Sequence, residues 1–266
     1  MTQKKTTIKD VAREAGVSVA TVSYVINNRT DIKLTDATRQ KVLQVANLLN
    51  YTPNLAARAL ANRQQHLLGV TYEKSSNPWK KAQQMLFLET FLTFFRQKGY
   101  RVILIDADAV EQYDQVDAVI CYDVTLEHFH SLGNQNFAPM LAIDGYINDD
   151  LFFQINTDYD RLKREADAFF QGEDYTYLLL EPSNRELYNA LQQKFQSVMF
   201  YTSEGEGLLQ SDAPVLVTDP ILGNLLGERP NTYVASSLTE AKLELLHTAI
   251  EHAMNRDEVD LHNLTI

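Results

Sequence analysis

The sequence contains one cysteine and one tryptophan among 266 residues, and it has no run of eighteen apolar residues. Without a second cysteine the chain cannot form an internal disulfide, which is typical of a reducing compartment. Without a long apolar run it is not expected to cross a bilayer. Its first ten residues, MTQKKTTIKD, lack the apolar stretch of a secretory signal. We therefore expect a cytoplasmic globular protein, whose length favours two domains.

Common motifs of enzyme chemistry are also absent. The chain has no P-loop, no G-x-G-x-x-G that opens a helix after a strand, and no histidine and cysteine set with metal-ligand spacing. The pair His128 and His130 is too small a signal to predict a site. Cys121 lies in an apolar stretch, which favours a buried side chain over a reactive thiol. The sequence therefore predicts no catalytic residues, no metal and no cofactor.

The charge is divided unevenly along the chain. The overall net charge is −11, but residues 1–66, called the head, hold ten Lys and Arg against four Asp and Glu. Residues 67–266, called the body, hold fourteen basic and thirty-one acidic residues. A basic head on an acidic body favours contact between the head and a polyanion.

The head begins with the pattern of two short helices joined by a tight turn. Gly16 can adopt the left-handed conformation that ends the first helix, and Ser18 is a natural N-cap for the second, from about Val19 to Asn27. Together with the small Ala12 at the crossing, these residues indicate a DNA-binding helix-turn-helix rather than a generic helical hairpin. The second helix has an apolar side for the core, and its other side is expected to be exposed and carries Val19, Ala20, Ser23, Tyr24 and Asn27.

Two further helical segments follow in the head. Thr35 is a predicted N-cap for a third helix whose buried stripe is Val42, Val45, Ala46 and Leu49. The alanine-rich segment 54–62 favours a helix but is short, so we expect it to form only with DNA and a partner.

The stretches TTIKDVAREAGVSVATVSYVINN and TRQKVLQVANLLNYTPNLAARALA resemble the LacI/GalR family of bacterial transcription regulators. The resemblance implies that bases in the major groove are contacted by Val19, Ala20 and Tyr24. It implies that the DNA backbone is bound by Thr7, Ser18, Thr21, Ser23 and Asn27. In the hinge, it implies that Leu60 is a wedge in the minor groove, flanked by Asn54, Ala57 and Arg58.

After residue 66 the pattern changes to alternating strands and helices, which predicts a parallel sheet with helices packed on it. The body resembles the periplasmic-binding-protein-like core with which this family senses small molecules in a cleft between two subdomains. The resemblance implies effector-binding roles for Asp158, Arg185 and Asp219. The chain is shorter than the family pattern, and its second subdomain is contracted.

The sequence therefore predicts an all-α helix-turn-helix head plus an α/β periplasmic-binding-protein-like sensor domain. The expected boundaries are 1–53 for the DNA-binding domain, 54–66 for the hinge helix and linker, and 67–266 for the effector-binding and dimerisation domain. The resemblance implies a homodimeric repressor of the bacterial nucleoid that binds palindromic, double-stranded operator DNA under the control of a small-molecule effector such as a sugar. The alternative is a body that serves as a dimerisation or protein-partner scaffold without an effector.

Overall fold

The structure is a computed structural model that describes residues 6–26, 34–49, 51, 66–106, 113, 115–136, 138–201, 212–255 and 257–266, without the side chains of residues 36, 47 and 135. Its helices are α1 Ile8–Ala15, α2 Val19–Ile26, α3 Asp36–Leu48, α4 Pro78–Gln97, α5 Leu126–Gln135, α6 Tyr159–Phe169, α7 Arg185–Lys194, α8 Pro220–Leu226 and α9 Glu240–Asn255. Its strands are β1 Leu67–Tyr72, β2 Arg101–Leu104, β3 Ala118–Tyr122, β4 Met140–Ile143, β5 Phe153–Asn156, β6 Thr176–Leu179, β7 Val198–Phe200, β8 Val215–Val217, β9 Thr232–Val234 and β10 Asn263–Thr265.

The head is a three-helix unit with its own small core. Helices α1, α2 and α3 contact one another. Their buried residues form one cluster of small and β-branched side chains: Val11, Ala12, Ala15, Val19, Val22, Val25, Val42, Val45 and Ala46. The predicted all-α head is therefore confirmed.

The body contains two parallel sheets. Sheet A has the strand order β10-β5-β4-β3-β1-β2, and sheet B has the order β7-β6-β8-β9. Each described strand pair is parallel. Helices pack on both faces of sheet A, α4 and α9 on one and α5 on the other, as the α/β prediction requires.

The chain passes between the two sheets at two places. It leaves sheet A after β5, builds sheet B from β6 to β9, and returns through α9 to β10 in sheet A. Aromatic residues of α4 and aliphatic residues of α9 share the core on one face of sheet A. The two crossings bring residues 157–158 and 235–239 close together at the junction of the sheets, where Lys242 of α9 contacts Thr157 and Ser237.

The parallel sheet with packed helices that the sequence predicted after residue 66 is therefore present. Within the described residues, no helix is both long and apolar enough to cross a membrane.

Candidate nucleic-acid interface and the cleft between the sheets

The start of α1 and the turn after it are held by local hydrogen bonds. Thr7 caps α1 through a capping box, in which its hydroxyl accepts from the Asp10 N–H while the Asp10 carboxylate accepts from the Thr7 N–H. The hydrogen bonds from Thr7 lower the pKa of Asp10, and Arg13 lowers it further. Gly16 has φ 64°, a left-handed conformation that a Cβ would penalise. This turn sets the angle between α1 and α2.

Ser18 is the N-cap of α2, as predicted. Its Oγ accepts a hydrogen bond from the Thr21 N–H at 3.0 Å, and the two hydroxyl oxygens lie 2.9 Å apart. Ser18 is exposed and Thr21 is half-buried. Both hydroxyls therefore lie beside the N–H groups at the start of α2, which favour the negative charge of a phosphate.

The predicted DNA contacts on α2 do not all lie on the same face of the helix. Ala20, Ser23 and Tyr24 are half-buried and lie outside the core of the head. Val19 is buried within that core, so the prediction that it lies on the exposed face is wrong. As the first residue of α2, Val19 is one turn from Val22 and packs with it among the valines of α1 and α3. Its predicted contact with a base in the major groove remains a prediction.

In this arrangement the α2 face lies against the body. Helix α2 contacts α5, and a cavity of about 420 Å³ separates the polar residues of α2 from body residues that include His130, Asp149 and His252. Binding of DNA by this face therefore requires the head to move away from α5. The remaining predicted DNA contacts, Asn27, Asn54, Ala57, Arg58 and Leu60, lie outside the described residues.

The three residues predicted to bind an effector have partners within the protein. Asp158 caps α6 and accepts from the Arg161 N–H at 2.9 Å. The Arg185 guanidinium lies over the Tyr188 ring, 4.2 Å from its centroid. Asp219 is buried and caps α8, where its carboxylate also accepts from Gln83 Nε2 at 2.7 Å. Their predicted ligand roles remain predictions.

A buried ion pair lies in the cleft between sheets A and B, and its residues were not among the predicted site residues. Lys80 in the first turn of α4 pairs with Asp123, which directly follows β3. The ammonium group also donates to the Glu181 carbonyl at 3.0 Å, beyond the end of β6 in sheet B. The Asp123 carboxylate accepts from the N–H groups of Ser183 and Asn184 at 2.8 and 3.4 Å. The pair thus joins segments that follow strands of both sheets.

Asn184 adds neutral hydrogen bonds across the same cleft. This fully buried side chain caps α7 by accepting from the Leu187 N–H, and it also accepts from the Tyr146 N–H at 3.1 Å. Its amide donates to the carbonyls of Val124 and Tyr146. Helix α7 is therefore tied at its N-cap to the sheet A side.

A second buried lysine lies where the chain crosses between the sheets. Lys242 of α9 pairs with Asp144 at the end of β4. It also donates to the Thr157 hydroxyl at 3.1 Å and to the Ser237 carbonyl at 3.0 Å, one in each crossing. Its contacts therefore fix both crossings to sheet A.

Glu73, His128 and Thr125 form a third polar cluster, beyond the carboxyl ends of the central strands β1 and β3 of sheet A. His128 Nδ1 lies 3.1 Å from Glu73 Oε1, which also accepts from the Thr125 N–H and hydroxyl at 2.9 and 2.7 Å. The hydrogen bond to His128 lowers the pKa of Glu73 to about 2, although burial opposes the shift. The ionised form of Glu73 therefore stabilises the fold.

The lowered pKa of Glu73 predicts how the free energy of unfolding depends on pH. Above the ordinary glutamate pKa of 4.5 the contribution of Glu73 is complete, and it is lost as the pH falls from 4.5 towards about 2. Glu73→Gln should therefore reduce the loss of unfolding free energy between pH 5 and pH 3, measured by urea denaturation at each pH. Glu127→Gln, at an exposed glutamate of α5, is the control and should retain the wild-type pH profile. An unchanged profile for Glu73→Gln would contradict the assignment.

Comparison with known proteins identifies the head. Residues 7–54 match the model of the bacterial regulatory proteins of the lacI family. The chain is 34% identical over 174 residues to catabolite control protein A of Staphylococcus epidermidis, covering 61% of this chain and 51% of that protein. It is 31% identical over 168 residues to the sucrose operon repressor of Pediococcus pentosaceus, covering 58% and 48%. The chain spans about half the length of the curated relatives it matches.

Solved structures give a weaker likeness. A lac repressor dimer bound to operator and the anti-inducer ONPF aligns with 99% of this chain and 96% of its own at 18% identity, with a TM-score of 0.47. The family match covers the segment in which α1, α2 and α3 lie. The predicted resemblance to the LacI/GalR family is confirmed for residues 7–54, which match the model of the bacterial regulatory proteins of the lacI family.

Proposed function

We propose that the chain is a sequence-specific DNA-binding transcription regulator that acts as a repressor in the bacterial cytoplasm and catalyses no reaction. The observation that carries the proposal is the capped helix α2, which holds Ala20, Ser23 and Tyr24 outside the head core within the segment that matches the lacI family. The basic head and acidic body support it, since only the head attracts a polyanion. Relatives of the chain are named as a catabolite control protein and an operon repressor.

Tyr24 is the one proposed base-contacting residue that has a polar group at its end. Tyr24→Ala should weaken operator binding about 5- to 150-fold and binding to random DNA by little. The measurement is fluorescence anisotropy at fixed salt, on an operator selected from a random DNA library and on scrambled DNA. Leu43→Ala, at an exposed leucine of α3, is the control and should bind both DNAs like the wild type. Equal losses of Tyr24→Ala on both DNAs would mean that Tyr24 contacts only the backbone.

We further propose that the regulator binds a palindromic operator as a homodimer, because one recognition helix covers too few base pairs for specificity. Exposed apolar residues on α4 and the edge strand β2 supply a surface for a second copy: Met85, Leu86 and Leu104. Helix α4 also contacts α8, which links this surface to sheet B. In such a dimer, Leu60 and its neighbours Asn54, Ala57 and Arg58 would meet their counterparts over the minor groove, as the family resemblance implies.

Two candidates remain for the role of the body. A small-molecule effector, such as a sugar bound by Asp158, Arg185 and Asp219, is supported by the matching relative named as a sucrose operon repressor. A scaffold without an effector is favoured by the Lys80–Asp123 pair, which occupies the cleft with the protein's own side chains. Thermal unfolding with a panel of mono- and disaccharides and nucleobases, with and without operator, distinguishes them. A rise in Tm with one compound supports the effector, and no rise supports the scaffold.

A further inference from the structure

Lys80 is buried although it lies in the first turn of α4, where the next residue is exposed. Its side chain is 7% exposed and that of Asp123 is 6% exposed. Lys81, one residue later on α4, is exposed. A lysine this deep is stable as a cation only with an opposite charge and further acceptors around it. The acceptors here are the Asp123 carboxylate from the sheet A side and the Glu181 carbonyl from the sheet B side.

The pair is part of the contact between the sheets. Asp123 accepts three hydrogen bonds from the segment after β6: the N–H and hydroxyl of Ser183 at 2.8 and 3.2 Å, and the N–H of Asn184 at 3.4 Å. Opening of the cleft breaks these bonds together with the bond from Lys80 to Glu181. Lys80 and Asp123 both belong to the sheet A side, so the pair itself survives opening, but the remaining hydrogen bonds of both charges are complete only in the closed form.

Removal of the Lys80 charge should disfavour the closed form of the cleft. Without the ammonium group, closure would bury the Asp123 carboxylate with no cation, which is strongly unfavourable. Water can solvate that carboxylate only if the cleft opens. A neutral side chain at position 80 should therefore shift the body towards an open form rather than merely lose a contact.

In a cleft-binding protein, a small molecule bound between the two sheets keeps the cleft closed. We propose that Lys80 takes this role here and acts as a clamp, so that the body closes without an added ligand. This proposal extends the scaffold candidate described above. It concerns the body alone, so its test does not depend on whether the head binds DNA. Asp123 is its counter-charge, and Ser183 and Asn184 are its attachment on the sheet B side.

The test is a distance measured across the cleft in the full chain without DNA. Cys121 is buried, so cysteines introduced at the exposed positions Glu127 of α5 and Gln192 of α7 can be spin-labelled selectively. Pulsed electron spin resonance then reports the separation of the two labels. The Lys80→Met variant should lengthen it by more than ~2 Å and broaden its distribution, whereas Lys81→Met should leave it unchanged.

A second variant keeps the test valid if Lys80→Met does not fold. If circular dichroism shows that Lys80→Met is unfolded, Asp123→Asn decides the question, because the introduced amide oxygen could still accept from Ser183 while Lys80 would lose its counter-charge. Lengthening in either folded variant supports the clamp. A wild-type distance in every folded variant of the pair overturns it, as does an equal lengthening in Lys81→Met.

Discussion

A protein with Met85 and Leu104 both replaced by glutamate should be monomeric and should bind a palindromic operator roughly a hundredfold more weakly than the wild type. In a dimer the first bound head holds the second close to its half-site, so the second binding event is intramolecular. A monomer loses this advantage even though every DNA contact of its own head is intact. The effect should therefore be large although both substitutions lie far from α2 in the sequence.

Met85 and Leu104 lie on the exposed apolar surface of α4 and β2. Met85 is 63% exposed on α4, and Leu104 is 57% exposed on β2, which ends one side of sheet A. An exposed edge strand and an exposed apolar helix face are costly unless another surface covers them. Glutamates there would face each other across a two-fold interface, because the same patch occurs on both subunits.

Light scattering after size-exclusion chromatography measures the mass in solution. Fluorescence anisotropy on the same samples measures the operator affinity. Leu261→Glu is the matched control, since Leu261 is 59% exposed beside β10, at the opposite edge of the same sheet. It should remain dimeric with wild-type affinity. If the Met85 and Leu104 variant also remained dimeric, the interface would lie elsewhere.

The helices α1, α2 and α3 of the head could be predicted from the sequence because local signals determine them. A cap at Ser18, a left-handed glycine at position 16 and apolar residues at helical spacing each act within a few residues. Val19 was the exception, since periodicity places a residue on a helix side but does not show how far a neighbouring helix covers that side. In the structure, α1 and α3 complete the core around it.

The body was predicted less completely. Runs of apolar residues identified β1, β3 and β4, whose strands are buried on both faces in the middle of sheet A. Strands β7 and β10 have three residues each and lie at sheet edges, where pairing by a neighbouring strand defines them more than composition does. Such elements depend on contacts between residues far apart in sequence.

The buried lysines did have a signal in the sequence. On α4, Lys80 and Gln84 lie on the same helix side as Phe87 and Phe91, all of which are buried. On α9, Lys242 shares the side of the buried Leu246. A charged residue in phase with the core face indicates a buried ion pair, but the partner carboxylate follows a distant strand and could not be identified from spacing.

The Lys242→Met variant should lower the free energy of unfolding by about 3–5 kcal/mol. The Lys242 side chain is 1% exposed, and the Asp144 beside it would lose its only described cation while only 17% exposed. The Thr157 hydroxyl and Ser237 carbonyl would also lose their hydrogen bonds from the ammonium group. Since those residues belong to the two crossings between the sheets, the loss weakens the junction as well as one ion pair.

Urea denaturation followed by circular dichroism at pH 7 measures this loss. The matched control is Lys98→Met, which removes a lysine that pairs with Glu244 of the same helix α9 at 2.7 Å but on the surface. An exposed pair of this kind contributes about 1 kcal/mol or less, so the control should remain close to wild type. Added salt should reduce the small effect of Lys98→Met and leave that of Lys242→Met nearly unchanged, because solvent ions do not reach a buried pair. Equal losses for the two variants would show that burial of Lys242 contributes nothing beyond an ordinary surface ion pair, and that the crossings are held by the packing of α9 alone.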